Sequence, residues 1–369
     1  MIKTASSYRG VPRVETVARP WAQKGILSIF ALRQLVLLPA ILVLMAIGSQ
    51  LHPAFLTWDN ILTNILAASG VLAVLVVAES LLIIAGKFDL SLQSTVALAP
   101  MISAWLVVAP DAGGAGVELN PFVGLLVLFA IGAGVGVFNG FLVSKLGLNA
   151  FIVTLAMLIL LQGLTLGISS GRTITSLPDA YNFIGSTSLV GIPLEVWIAA
   201  LVIAGAALFM RFHVTGREIY AIGGNVEAAR AAGVRVERVI FGLFVIAGLL
   251  AALAGLMLTS RIASVTASQG SNIIFTVFAA SVIGGIDLNG GRGRIVGAAT
   301  GVLLLGVIQN ILVLSEVPSF WVTAIYGAVI LFSMMLGTIA GSFGEGVRLL
   351  GRFRGTPNAS ADLRPLKPH

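Results

Sequence analysis

No group of side chains in this sequence is spaced for covalent or redox chemistry. Its 369 residues include no cysteine, which removes disulfides, thiolate metal sites and cysteine nucleophiles, and the three histidines, His52, His213 and His369, are too scattered for a metal cluster. A phosphate loop of the form G-x-x-x-x-G-K-[ST] is missing as well; Ala85-Gly86-Lys87-Phe88 comes nearest and fails at both ends. What the side chains offer instead is docking and hydrogen bonding. One stretch runs Gly216-Arg217-Glu218-Ile219-Tyr220-Ala221-Ile222-Gly223-Gly224-Asn225-Val226-Glu227-Ala228-Ala229-Arg230-Ala231-Ala232-Gly233. Here Asn225 suits an N-cap, Glu227 the positive end of a helix, Ala228 to Ala232 its body, and Gly233 its stop. A helix of about two turns is unstable alone. It is read as a docking element for a soluble partner, with Ala229 on the contact face; a plain connector is the alternative.

Two further features carry polar chemistry. Gly86-Lys87-Phe88-Asp89-Leu90 and Gly284-Gly285-Ile286-Asp287-Leu288 share the spacing G-x-x-D-L, in which glycine lets the chain turn and Asp caps the next helix. Both copies fall at the same side of the chain's apolar blocks, so a duplication would be parallel, as in some transporters; two capped turns at the membrane surface are the plainer reading. Neutral amides and hydroxyls also lie inside apolar blocks: Asn64, Asn139, Thr154, Gln162, Thr165, Ser281, Thr300, Gln309 and Asn310. More than half are expected to join neighbouring helices; Asn139, Thr154, Gln162, Gln309 and Asn310, with Phe151, are the candidates from which those lining a pathway would come.

The elements that must position these residues are membrane spans. Apolar residues make up 57% of the chain and charged ones only 10%, against roughly 25% charged in soluble domains. A span needs about 20 mostly apolar residues, and ten blocks qualify as candidates: Leu35–Leu51, Ile61–Ala85, Leu92–Ala109, Pro121–Ser144, Ala150–Ile168, Leu194–Met210, Val239–Leu258, Ile273–Ile286, Ile295–Leu314 and Phe320–Gly337. None alternates as a barrel strand would. The fold expected is therefore an all-α polytopic membrane protein of about ten helices. The eighth block is short and could be re-entrant.

Charge sets the orientation. With the N-terminus inside, all but Arg172 and Arg261 of the 22 basic residues fall in inner segments, as the positive-inside rule requires. Both termini are expected in the cytoplasm: residues 1–34 form a basic tail, 35–340 the transmembrane domain with an inner loop at 211–238, and 341–369 a second tail. The basic lead is too long for a signal peptide. The net charge of +7 is thus a topology signal, and nucleic acid is not an expected partner.

The run Glu227-Ala228-Ala229-x-x-x-Gly233 resembles the E-A-A-x-x-x-G loop of binding-protein-dependent ABC importer permeases. Its setting, from Gly216-Arg217 through Gly223-Gly224-Asn225 to Arg230, is similar to the ribose-type sugar permease branch, as are Asn149 to Leu155, Gly171-Arg172-Thr173-Ile174 and the glycine-rich stretch from Gly284 to Gly301. The likeness covers roughly Phe55 to Leu336. It departs where that branch reads G-G-I-D-L-S-V-G and this chain has Gly86-Lys87-Phe88-Asp89-Leu90-Ser91-Leu92-Gln93. The resemblance implies a multi-pass subunit of a bacterial inner membrane that pairs with itself or a related permease. It would receive a monosaccharide from an external binding protein and be driven by an ATP-binding subunit docked on the inner loop, with ATP and Mg held by that subunit and no cofactor on this chain.

The residues weigh on this independently. With no phosphate loop, energy must come from a partner or an ion gradient. An ion-coupled transporter is the main alternative, and Glu79, the ionisable residue well inside a candidate span, is its candidate relay; a scaffold protein would not need so many polar groups inside spans. No Lys or Arg lies inside a candidate span, so the solute expected is neutral and polyhydroxylated.

Overall fold

The computed structural model describes residues 37–318 and, beyond them, 320–322, 324, 325, 327, 328 and 331. Nine of the ten candidate spans are helices there: α1 Leu37–Leu51, α2 Asn60–Ile84, α3 Leu92–Val107, α4 Pro121–Ser144, α5 Ala150–Ser169, then α7 Leu194–Phe212, α10 Val236–Ile262, α11 Ile273–Ile283 and α12 Ile295–Leu314. Between them lie α6 Asp179–Ser186, the two-residue strands β1 Ser188–Leu189 and β2 Ile192–Pro193, α8 Val214–Gly224 and α9 Val226–Ala231. Most of the tenth span and both tails fall outside the described residues.

Six of the described helices are long and apolar enough to cross a membrane: α2, α4, α5, α7, α10 and α12. At 15, 16 and 11 residues, α1, α3 and α11 fall short of the roughly 20 a straight crossing takes. Helix α2 is the central staff, 67% buried along its best window against 28% for α4 and α5 and 17% for α7. The outer helices therefore turn much of their surface to lipid or to another chain. Pro121 at N1, behind an Asn120 side chain that accepts from Phe122 N, fixes the start of α4.

Small residues bring the long helices together. Gly132, Gly136 and Gly140 lie at four-residue spacing along α4, where a Cβ would run into the backbone of α10 at Gly248, Phe244 and Phe241. Without a hydrophobic force between helices in lipid, such close backbone approach is what holds a seam.

The first turns of α2, Asn60–Ala67, are π-wound. Asn60 Nδ2 donates to Phe55 O and to Asn310 Oδ1, both at 2.8 Å, and Asn310 Nδ2 donates back to Asn60 Oδ1 at 2.9 Å. This buried amide pair ties α2 to α12, and Asn64 adds a bond to Asn60 Oδ1 at 3.0 Å.

The end of the bundle bearing the β1–β2 hairpin is closed by polar contacts. Arg261 Nη1 meets Glu195 Oε2 at 3.2 Å while its Nη2 donates to Thr63 O at 2.9 Å. Tyr181 bonds Ser103, whose hydroxyl donates to Gly124 O at 2.5 Å. The opposite end carries α8 and α9.

Candidate functional site: a glycine junction beneath a short surface helix

The stretch expected to dock a partner folds as two helices. His213 caps α8, its Nδ1 accepting from Thr215 N at 3.2 Å, and Ile219 and Ile222 of α8 are fully buried. From sequence alone this whole segment is expected outside the bilayer. One face of α8 nevertheless packs into the protein, which Val214 to Gly224 conceals by mixing charged and apolar residues evenly; the spacing of Ile219 and Ile222 is the available signal. Asn225 then breaks the helix with φ −164° and caps α9, its Oδ1 accepting from Ala228 N at 2.9 Å. Gly233 has φ +84° and closes α9 with Gly233 N to Arg230 O and Val234 N to Ala229 O.

On α9 the outward residues are Glu227, Ala228, Arg230 and Ala231. Arg230 braces the element, meeting Glu227 at 3.3 Å and Glu237 at 2.7 Å. Ala229, expected on the contact face, is 3% exposed and packs inward instead. Arg217 is exposed, its Nη1 reaching back to Phe212 O at 3.4 Å.

Beneath α9, three glycine-rich segments meet backbone to backbone. A Cβ on Gly223 would overlap Ile84 O and Gly291 N; on Gly291 it would sit 2.7 Å from Gly224 Cα and N; on Gly290, 3.0 Å from Gly86 Cα and Gly223 O. Gly291 N donates to Ile84 O at 2.8 Å, and Tyr220 of α8 donates its hydroxyl to Gly293 O at 2.9 Å. Burial pushes the Tyr220 phenol above its usual range, and nearby Arg294 opposes that. The C-terminal end of α8 is thus seated directly on the end of α2 and on the Gly290–Gly293 loop between α11 and α12, with no flexible side chain between.

The two G-x-x-D-L turns close α2 and α11. Gly86, at φ +72°, and Gly285, at φ +87°, are the left-handed residues that close α2 and α11. Asp89 is 1% exposed, so the first turn runs from an exposed Gly86 to an aspartate inside the bundle. Its Oδ1 accepts from Ser91 N at 2.9 Å and Ser91 Oγ at 2.5 Å, and its own N donates to Glu79 Oε1 at 3.2 Å. Asn139 Nδ2 reaches Ser91 Oγ at 2.8 Å and Asp89 Oδ2 at 3.5 Å. Asp287 is partly exposed and accepts from Asn289 N and Nδ2, both at 3.0 Å.

The pathway candidates do not converge on one point. Asn139 and Thr154 come together at the first turn, Thr154 Oγ1 lying 3.5 Å from Phe88 O. Asn310 is engaged with Asn60. Gln309 on α12 and Phe151 and Gln162 on α5 are exposed. The hydroxyls expected to link helices mostly bond their own: Thr154 to Ala150 O, Thr165 to Leu161 O, Ser281 to Val277 O and Thr300 to Gly297 O, at 2.6 to 2.8 Å. A helical Ser or Thr finds a carbonyl three or four residues back without any neighbour.

Comparison with known proteins assigns this architecture. Residues 61–334 match the family described as branched-chain amino acid transport system / permease component. The ribose import permease RbsC of Escherichia coli (strain K12) is 36% identical over 301 residues, covering 80% of this chain and 91% of that protein. RbsC of Bacillus subtilis (strain 168) is 38% identical over 298 residues, covering 80% and 89%. The autoinducer 2 import system permease LsrC of Enterobacter sp. (strain 638) is 36% identical over 309 residues, covering 82% and 86%. No solved structure matches. The chain belongs to this family of importer permease components, in its ribose-type branch.

Proposed function

We propose that this chain is the membrane-spanning subunit through which an ATP-driven importer moves a neutral sugar inward across a bacterial inner membrane. As a sugar importer permease it is a transport subunit, and ATP hydrolysis belongs to a separate subunit. The finer reading places that ATPase, with its ATP and Mg, against α9 on the cytoplasmic side, a binding protein at the hairpin end, and a second permease, identical or related, alongside. Both termini are cytoplasmic in this reading. Cysteines introduced at Ser176 and Ser360 of this cysteine-free chain are then labelled by an impermeant thiol reagent from outside at the first site only.

The observation that carries the reading is the glycine junction. Backbone packed on backbone deforms little, so a displacement of α9 by its partner passes through α8 to the end of α2 and the loop between α11 and α12. The end of α2 leads into the Asp89 turn, whose partners reach α4. Asn225 and Gly233 make α9 a defined body that can be gripped, and Glu227, Ala228 and Arg230 are the residues it offers.

The test is uptake of radiolabelled neutral sugars by vesicles carrying the chain with its ATPase and binding protein, with ATP on the cytoplasmic side and ion gradients collapsed by an uncoupler. Uptake persists on the ATP-driven reading. If it vanishes while ATP remains, the ion-coupled alternative replaces it, and Glu79, fully buried with Oε2 unpartnered among the described residues, is the first residue to change.

A further inference from the structure

Three glutamines from distant parts of the chain meet at a small notch on the exposed side of the bundle. Gln93 and Ser94 come from the first turn of α3, Gln162 from α5, and Gln269 and Ser271 from the segment between α10 and α11. Every polar group among them is neutral.

The three amides differ in what they are free to do. Gln269 is fixed: its Nε2 lies 3.2 Å from Val96 O, 3.1 Å from Gly255 O and 3.0 Å from Thr259 Oγ1, and it forms a rigid back wall. Gln93 has a buried Oε1 without a partner among the described residues, an acceptor already stripped of water. Gln162 is exposed about 18 Å along α5 from Ala150, well inside the depth of a span. Its surface neighbours Ile159, Leu160 and Leu164 are apolar. An amide facing lipid at that depth has no water to bond, which disfavours it unless it faces a cavity or a partner chain.

We propose that Gln93 and Gln162 are sugar-contacting residues of the translocation path, forming with the fixed Gln269 one wall of a passing site for a neutral polyhydroxylated solute. This rests on the sugar-import reading above. Primary amides both donate and accept, which matches vicinal hydroxyls on a solute without charge. The notch holds about 10 Å³, room for one water, so the rest of the site comes from what faces α5. Gly163 and Gly167 leave that face open, with nothing within 4 Å of a Cβ at either. Gln93 is also where this chain departs from the G-G-I-D-L-S-V-G pattern, so it bears on which sugar passes.

The experiment uses vesicles holding the chain with its ATPase and binding protein, with radiolabelled ribose and a panel of neutral sugars as probes. Gln93→Leu and Gln162→Leu each lower sugar taken up per ATP hydrolysed by about tenfold, the equivalent of one lost hydrogen bond at the passing site, while Gln162→Asn recovers part of it and Leu160→Ala changes nothing. Gln162→Cys reacts with a small water-soluble thiol reagent, and sugar in transit slows that reaction. Wild-type uptake per ATP in both Leu variants, or a Gln162→Cys that is inert to the reagent, overturns the proposal. The second of these would assign Gln162 to a dry contact with another helix or lipid. Failure of the wild-type complex to import any neutral sugar would instead defeat the reading on which the proposal rests.

Discussion

The turns Gly86–Ser91 and Gly284–Asn289 carry the same residue signature and do different work. Each closes its helix with the same pair of hydrogen bonds: Gly86 N to Ile83 O and Lys87 N to Leu82 O in one, Gly285 N to Val282 O and Ile286 N to Ser281 O in the other. In each, an Asp accepts from the amide two residues on. Beyond that they diverge. Asp89 sits inside the bundle and gathers contacts from α2 and α4, whereas Asp287 stays near the surface and steadies the loop that presents Gly290 and Gly291 to α8. A shared motif therefore specifies a turn, and the surroundings decide whether it anchors the interior or bears on the moving part.

The register differs too. Aligned on Asp, the capping glycine is the first of the pair in one turn and the second in the other. The second position in the first turn is Lys87, and a side chain there at positive φ is disfavoured by about 1 kcal/mol. The cap falls on the one glycine available, Gly86. This is the physical content of the departure from the sugar-permease pattern noted in the sequence.

The largest effect separating the turns is expected from their aspartates. Asp89→Ala strands Ser91 N and the Ser91 hydroxyl in the interior and lowers stability by about 3 kcal/mol, read as a fall in thermal unfolding temperature in detergent. Asp287→Ala leaves only solvent-reachable groups and costs about 1 kcal/mol or less. Equal shifts would break the comparison. Next comes Gly291→Ala, which combines φ +70° with a backbone neighbour at 2.7 Å. We expect the variant to insert and retain its ATPase but lose about tenfold in uptake per ATP, near 1.4 kcal/mol, and co-purification alongside transport assays would check both parts. The smallest effect sharpens the likeness: Gly86→Ala and Gly285→Ala should each cost about 1 kcal/mol, nearly equally, because neither Cβ would meet an atom closer than 3.9 Å. A marked inequality in unfolding temperature would show that the two caps are not alike.

Local chemistry was legible in the sequence where it depends on nearby residues. The bounds of α4 and α12 coincide with Pro121–Ser144 and Ile295–Leu314 as read from apolar blocks, and the caps at Asn225 and Gly233 follow from residue type. What the sequence concealed depends on partners far along the chain. The Asn60–Asn310 pair spans 250 positions, and Asn310 alone looks like any polar residue in a span. The spacing of Ile219 and Ile222 marks an inward face on α8, but that the helix is seated through Gly223 on Ile84 and Gly291 is a long-range contact that nothing within Val214 to Gly224 reveals. The inward face of Ala229 is a matter of one helical position, below what composition resolves.

The central claim is that α8 transmits the ATPase cycle to the end of α2 and to the loop between α11 and α12 through backbone contact at Gly223. Its most direct test is the ratio of sugar imported to ATP hydrolysed in vesicles carrying Gly223→Ala beside wild type. A single Cβ there must displace Ile84 O or Gly291 N, so the account predicts an inserted permease that keeps its ATPase and hydrolyses ATP while import per ATP collapses. A Gly223→Ala variant that imports sugar at the wild-type ratio would contradict it.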